Sequence, residues 1–125
     1  MFKVLVLLKR KKGMSLDEFI KYYETKHSVL GVKYQTKMKR YVRHYLKPIP
    51  YPLDGTVQEP EYDVLTELWF DDQKAFEDGM ALMRAPEANA VLSEDEKNLF
   101  DLSKNCLVAV EDHESDLPWV KAGDR

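Results

Sequence analysis

Residues 2–19 read FKVLVLLKRKKGMSLDEF, and two different patterns follow each other in this stretch. Its first part, Phe2 to Leu8, is a continuous apolar run rich in Val and Leu, which is typical of a strand covered on both faces. A basic turn ending at Gly13 follows, and Ser15 with Glu18 then forms a capping box, the signature of a helix start. The stretch therefore predicts a strand that leads directly into a helix.

The predicted helix carries one apolar stripe. Its members recur every three or four residues, as in an amphipathic helix, and they are Leu16, Phe19, Ile20, Tyr23, His27 and Leu30. Gly31 is the expected end of the helix. His27 lies one turn after Tyr23 on this stripe, so we expect its ring to point inward.

The rest of the chain predicts three more strands and a broken helical region. The strands are expected at 38–47, 62–70 and 105–112, from their β-branched and aromatic content. Asp71 is expected to cap a helix that Pro86 breaks, and a second capping box from Ser93 to Glu96 is expected to begin the last helix. The order β-α-β-β-α-β predicts an α+β, ferredoxin-like fold, with both helices on one face of a four-stranded antiparallel sheet.

Helices on one face leave the other face of such a sheet bare. The first and fourth strands are apolar on both faces, and a monomer that exposed them would tend to aggregate. A second copy of the sheet is the simplest cover, so we expect a two-fold homodimer. The domain is expected to span residues 1–113, with a polar C-terminal tail at 114–125.

Composition excludes several classes of protein. The 125 residues include 19 Lys and Arg against 22 Asp and Glu, for a net charge of -3, which argues against a nucleic-acid binder. Cys106 is the only cysteine, so no intrachain disulfide or multi-cysteine metal site is possible. The first apolar run precedes its basic residues, the reverse of a signal peptide, and no stretch has the length of a membrane span. We therefore expect a cytoplasmic protein without a membrane partner.

The motifs leave two options open: acid–base chemistry, or the binding of a ligand, in a pocket between the sheet and the helices. The sequence contains no phosphate loop, dinucleotide fingerprint, paired-cysteine motif or nucleophile elbow. His27 is either a structural histidine near a helix C-terminus or a general acid or base in an apolar cavity. His113, at the end of the predicted fourth strand, is either a surface residue or a partner of His27. Three isolated histidines lack the spacing of a zinc site, so no metal is predicted.

The third predicted strand places two acids beside a tryptophan. Asp63 and Glu67 share a face with Trp69. This is either a polar row salt-bridged to Arg40 or Arg43, or a carboxylate that orients a histidine. Sequence alone does not decide which face of this strand meets the helices.

Several segments resemble the EthD family. The run from Lys9 to Phe19, continuing through Tyr22-Tyr23-Glu24-Thr25-Lys26-His27, is similar to the opening of that family. Residues 63–72 resemble its third strand and residues 95–101 its late helix. The resemblance implies a dimeric α+β barrel from a superfamily that includes cofactor-free cyclases, decarboxylases, dehydratases and anthrone oxygenases of polyketide biosynthesis. It also implies a functional role for His27, and for a second histidine at His113.

The leading hypothesis is a cofactor-independent polyketide-tailoring enzyme. It would decarboxylate, or cyclise and dehydrate, an aromatic polyketide (β-keto acid) intermediate through an enol. His27 would move the proton, Asp63 or Glu67 would orient a histidine, and His113 would be the second acid–base group. The expected substrate-binding residues are Tyr23, Arg40, Tyr41, Tyr45, Glu67, Trp69, Phe76 and Met80. The alternatives are a cofactor-free anthrone-type oxygenase, a non-catalytic carrier of a hydrophobic small molecule, and a haem-degrading protein with His27 as axial ligand.

Overall fold

One antiparallel sheet carries the helices on one of its faces. A computed structural model describes residues 1–124, and for Ala122 the backbone alone. The strands are β1 (Phe2–Leu8), β2 (Arg40–Tyr45), β3 (Val64–Phe70) and β4 (Cys106–Ala109). The helices are α1 (Leu16–Tyr22), α2 (Ser28–Tyr34), α3 (Gln73–Arg84) and α4 (Pro86–Leu99), and a π-helical segment (Tyr23–His27) joins α1 to α2. The strand order is β2-β3-β1-β4 with antiparallel neighbours throughout, which confirms the predicted α+β architecture.

The register of β3 decides which side chains face the helices. Burial alternates strictly along β3, and its buried members are Val64, Thr66, Leu68 and Phe70. In the ladder with β2, Tyr41 lies opposite Leu68 and Tyr45 opposite Val64, so both tyrosines are on the helical side. Arg40 lies opposite Trp69, and both belong to the other face.

Two apolar clusters fill the space between the sheet and the helices. The first contains Leu8, Phe19, Tyr23, Val64, Leu99 and Phe100. The second contains Val4, Leu68 and Phe70, and both Phe76 and Met80 pack against it. The clusters leave part of the gap between the sheet and the helices unfilled, and this space is the cavity of the candidate site.

The expected end of the first helix at Gly31 is wrong. The helix continues through α2 to Tyr34, and Gly31 lies inside it. A Cβ atom at position 31 would lie 3.2 Å from the hydroxyl oxygen of Tyr41. The glycine is therefore used for close packing of the helix against β2, and not as a stop.

The expected capping box at Ser93 is also wrong. Pro86 occupies the first turn of α4, where its missing N–H costs nothing, and the helix runs unbroken past Ser93 to Leu99. The cap of α3 is Asp72, one residue later than expected, and its side chain accepts a hydrogen bond from the Ala75 N–H at 2.7 Å. β4 is shorter than predicted and ends at Ala109. Within residues 1–124, no helix combines the length and the apolar character that crossing a bilayer requires.

Asp63 links the end of β1 to the start of β3. Its side chain is only 3% exposed, and Oδ2 accepts a hydrogen bond from the Arg10 backbone N–H at 2.8 Å. The same oxygen lies 3.5 Å from Lys9 Nζ and 3.8 Å from Arg10 Nε. These contacts satisfy a buried carboxylate, and no histidine takes part in them.

We expect Asp63→Asn to destabilise the fold, because two cations then lose their buried counter-charge. The expected loss in the free energy of unfolding is about 1–3 kcal/mol, since Lys9 and Arg10 keep some solvent contact. Glu59→Gln is the matched control: Glu59 approaches the same two cations, but its side chain is 64% exposed. Urea unfolding of both variants measures the difference, and equal losses would contradict this role for Asp63.

Candidate active site

A small cavity lies between the sheet and the helices. Its volume is about 90 Å³. The polar residues that line it are Tyr23, His27, Gln35, Tyr41, Thr66 and Glu96. Apolar side chains complete the wall: Val6, Met38, Leu68, Met83 and Leu92. The cavity is therefore apolar over most of its surface, with a few polar groups directed into it, which is the usual composition of a small-molecule site.

Two consecutive tyrosines point toward the interior where α1 meets the π-helical segment: Tyr22 ends α1 and Tyr23 begins the segment. The wider π turn inserts a residue into the helical repeat and shifts the phase of the residues after it, a feature frequent at functional sites. Tyr22 reaches α4, where its hydroxyl donates to Asp95 Oδ1 at 2.8 Å. Tyr23, 1% exposed, reaches the sheet, where its hydroxyl lies 2.8 Å from Thr66 Oγ1. His27, the last residue of the segment, lines the cavity next to Tyr23, as predicted.

His27 and Asp95 form a hydrogen-bonded pair at the cavity. Nδ1 of His27 lies 2.7 Å from Oδ2 of Asp95, and the two side chains are 12% and 7% exposed. A carboxylate only accepts hydrogen bonds, so Nδ1 carries the proton in this contact. Nε2 takes part in no hydrogen bond within the described part of the chain. The arrangement leaves Nε2 as the basic nitrogen of an oriented, neutral imidazole.

Burial sets the charge of His27. Loss of solvent lowers the pKa of His27 below its ordinary value of 6.5, and the hydrogen bond and charge of Asp95 offset only part of that effect. His27 is therefore neutral at pH 7 in the folded protein. The unfolded chain binds this proton at a higher pH than the folded chain does, so His27 makes the free energy of unfolding decrease as pH falls below 6.5.

The two tyrosines at the cavity, Tyr23 and Tyr41, are neutral. Burial raises the pKa of Tyr23 well above its ordinary value and also raises the pKa of Tyr41. Both hydroxyls therefore keep their protons at physiological pH.

Tyr45 lies on the same face of the sheet but outside the cavity. Its hydroxyl donates to Glu24, which also accepts from Arg43 Nε at 3.0 Å and from Arg43 Nη2. Arg43 lowers the pKa of Glu24, and burial together with Glu24 raises the pKa of Tyr45. This network joins the π-helical segment to β2 and fixes the wall beside the cavity.

Three of the expected binding residues lie on the opposite face of the sheet. Glu67 pairs with His44 and accepts from Trp69 Nε1 at 3.2 Å. The guanidinium of Arg40 lies 5.0 Å from the centre of the Trp69 ring. The side chains of Arg40, Glu67 and Trp69 are therefore on the other side of the sheet from His27.

The remaining expected residues are also away from the cavity. His113 follows the end of β4 with its side chain 81% exposed, and its Nε2 lies 2.7 Å from Glu111 Oε2. Phe76 contacts Phe70, with ring centres 5.4 Å apart, and both Phe76 and Met80 pack against the second core cluster. Asp63 pairs with two cations and orients no histidine. Of the expected site residues, His27, Tyr23 and Tyr41 come together.

Sequence patterns alone do not identify the partner of His27. The capping-box pattern assigns Asp95 and Glu96 to a helix start, whereas they lie in the last turns of α4. Leu92, Asp95 and Leu99 are all buried, and their three- and four-residue spacing is the signal that could have shown Asp95 facing inward. Gln35, 3% exposed, is a second residue that the patterns miss; its Nε2 lies 2.9 Å from Met83 Sδ.

We expect the pKa of His27 to fall further in Asp95→Asn, because both influences that raise it come from Asp95. Titration of the histidine ring signals by NMR measures this pKa in each protein. Tyr22→Phe is the control, since it removes a hydrogen bond to Asp95 and keeps the carboxylate. A wild-type pKa above 6.5, or one that rises in Asp95→Asn, would contradict this role of Asp95.

Solved structures with this fold come from several bacteria. An EthD family protein from Bacillus halodurans is similar over 90% of this chain and 100% of its own, with a TM-score of 0.61 and 17% identity. An EthD-like protein from Ralstonia eutropha matches 99% of this chain and 96% of its own, with a TM-score of 0.61 and 18% identity. A dimeric protein of ferredoxin-like fold from Bacteroides fragilis covers 88% of this chain and 94% of its own, with a TM-score of 0.52 and 14% identity. These similarities confirm the ferredoxin-like fold.

The family follows from the sequence itself. No curated protein matches it. The EthD domain, however, matches residues 11–103, which include the π-helical segment, the sheet strands β2 and β3, and α4. Because this match covers most of the chain, the protein belongs to the EthD domain family.

Proposed function

We propose that this protein is a cofactor-independent enzyme that carries out acid–base chemistry on an aromatic polyketide intermediate. The reaction is decarboxylation, or cyclisation with dehydration, through an enol. The observation that carries the proposal is the His27–Asp95 pair at an apolar cavity, with Nε2 free of hydrogen bonds to the described residues. A neutral imidazole whose other nitrogen is held by a carboxylate is the arrangement that general-base catalysis uses.

His27 acts as the base in the first step. In cyclisation, Nε2 takes a proton from the carbon next to a substrate carbonyl to give an enolate, and the enolate carbon attacks a second carbonyl to form the ring and an alkoxide; dehydration then removes a second proton from the same carbon and expels the hydroxyl group as water. In decarboxylation, the C–C bond to the carboxylate breaks instead, carbon dioxide leaves, and the enolate that remains takes a proton that His27 relays from solvent. Asp95 stabilises the imidazolium that forms, since it already accepts from Nδ1 at 2.7 Å. The imidazolium then returns the proton to an oxygen or carbon of the product. A positioned group of this kind contributes roughly 10²–10⁴-fold in rate.

Tyr23 and Tyr41 supply donors for the substrate oxygen. Both line the cavity, and both hydroxyls are protonated at physiological pH because burial raises their pKa. A donor placed where negative charge develops lowers the barrier to enolisation. In this proposal Asp95 takes the orienting role that the sequence suggests for Asp63.

The size of the cavity limits what can reach His27. Its 90 Å³ is well below the roughly 300–1,000 Å³ of pockets that enclose a whole drug-sized ligand. Met38 and Met83 form part of the wall, and methionine side chains adapt readily to a bound group. We therefore propose that one ring or one keto arm of the substrate enters, and that the remainder lies outside.

We propose a homodimer that covers the bare face of the sheet. Half-buried apolar side chains lie on this face beside Trp69, among them Leu5, Leu7, Leu65 and Val108. The relative from Bacteroides fragilis is described as dimeric. Sedimentation equilibrium that gave the mass of a single chain would contradict the dimer.

We also propose a cytoplasmic location, because Cys106 is a free thiol and the cytosol keeps thiols reduced.

His27→Gln tests the proposed function. We expect a folded protein whose turnover falls by roughly 10²-fold or more, because glutamine keeps a polar side chain but offers no base. Lys21→Gln, at an exposed position of the same helix, is the control. The assay uses a panel of aromatic polyketide acids and ketones, with carbon dioxide release, oxygen uptake and product mass followed together.

Each rival function has its own result in that assay. Oxygen uptake coupled to product would indicate an anthrone-type oxygenase, and ligand binding without turnover would indicate a carrier. A Soret band on adding haem would favour the haem-degrading alternative. Full activity of His27→Gln would contradict the acid–base role outright.

A further inference from the structure

None of the described side chains that line the cavity is positively charged. Glu96 is the one acid among the described residues that line it, His27 is neutral, and neither lysine nor arginine is among them. A carboxylate that entered would meet a glutamate and find no cation to pair with. Unpaired buried charge is among the most unfavourable arrangements in a protein.

Arg43, the arginine of β2 on this face of the sheet, is already engaged by another residue. Arg43 donates to both oxygens of Glu24 through Nε and Nη2, and its guanidinium lies 4.7 Å from the centre of the Tyr41 ring. A planar guanidinium engaged in this way is a saturated carboxylate site. Arg43 is therefore not available to a ligand in the cavity.

Two side chains that line the cavity, Glu96 and His27, indicate that it disfavours both negative and positive charge. Burial, and then the neighbouring Asp95, raise the pKa of Glu96, so the site resists a negative charge. Burial likewise lowers the pKa of His27, so the site resists a positive one. A charged ligand would be subject to the same desolvation cost.

We propose that the part of the substrate that reaches His27 is uncharged, a ketone or a phenol, and that Glu96 excludes carboxylates from this cavity. This specificity rests on the proposed function and narrows it. Decarboxylation starts from a carboxylate, whereas cyclisation and dehydration act on a neutral ketone. The proposed specificity therefore favours cyclisation and dehydration over decarboxylation. Glu96 is thereby assigned as the residue that sets specificity.

Only the group next to His27 has to be uncharged. An adjoining cavity shares Gln35, Met38 and Tyr41 with the first and is also lined by Lys39 and Arg40. Lys39 Nζ lies 3.8 Å from Asp71 Oδ2 in an exposed pair. A carboxylate at the far end of a longer substrate that extended into this adjoining cavity would meet Lys39, whereas the Arg40 guanidinium stacks on Trp69 at the other face of the sheet. The test therefore uses ligands of a single ring.

Two ligands of nearly the same shape test the proposal: 3-hydroxyacetophenone, which is neutral, and 3-hydroxybenzoate, which is an anion at pH 7. Calorimetry gives their affinities, and the ring signals of His27 show whether each one occupies this cavity. We expect the ketone to bind the wild type roughly tenfold more tightly than the carboxylate, or better. In Glu96→Gln, the carboxylate should gain roughly fivefold or more while the ketone changes by less than about twofold.

Glu94→Gln is the matched control. It removes the same charge from the same helix, but Glu94 is 72% exposed, so both affinities should stay at the wild-type values. Thermal unfolding confirms that each variant folds, and Glu96→Ala provides a second variant without the carboxylate.

Three results would overturn the inference. The first is that the wild type binds 3-hydroxybenzoate as tightly as 3-hydroxyacetophenone, or more tightly. The second is that 3-hydroxybenzoate binding is lost in Lys39→Ala and does not change in Glu96→Gln. The third is that neither ligand shifts the His27 signals. The first two leave the acid–base function standing, because that function depends on turnover in His27→Gln. Conversely, full turnover in His27→Gln would refute the function and leave the ligand preference intact.

Discussion

The buried hydrogen bond between His27 and Asp95 is the constraint on which the site depends. It joins the π-helical segment to α4, two elements that are far apart in the chain, and Tyr22 holds the second oxygen of the same carboxylate. Because Asp95 can only accept, the contact selects one tautomer of His27 and turns its basic nitrogen away from the carboxylate. The tautomer and the orientation of His27 both depend on this one pair.

The sheet forms the wall of the cavity opposite the helices, because alternate side chains of its strands point toward them. Thr66 and Leu68 of β3 face the helices, and the antiparallel pairing brings Tyr41 of β2 beside them. The same alternation sends Glu67 and Trp69 to the other face, where a partner protomer would cover them. One face of β3 thus contributes to the cavity, and the other face is apolar enough to bind a second protomer. Side chains alternate between the two faces, so a shift of one residue along the strand moves a side chain from one face to the other.

The parts of the fold that local patterns determine are predictable. The apolar run of β1, the capping box at Ser15 and the inward position of His27 each depend on neighbouring residues, and spacing alone is enough to find them. The face of β3 is not predictable, because alternation defines two sets of side chains but not which set the helices cover. The expectation at Ser93 fails for a related reason: a capping-box pattern also fits the middle of a helix, and here Pro86 has already started α4. The roles of Asp95 and Asp63 escape prediction because their partners lie more than fifty residues away along the chain.

We infer that the imidazole of His27 is neutral in the folded protein, with its proton on Nδ1. A long-range ¹H–¹⁵N correlation spectrum of the folded protein at pH 7 measures this directly, since the two ring nitrogens differ in chemical shift according to which one is protonated. We predict a protonated Nδ1 and an unprotonated Nε2 for His27. A proton on Nε2, or an imidazolium with both nitrogens protonated, would contradict the claim.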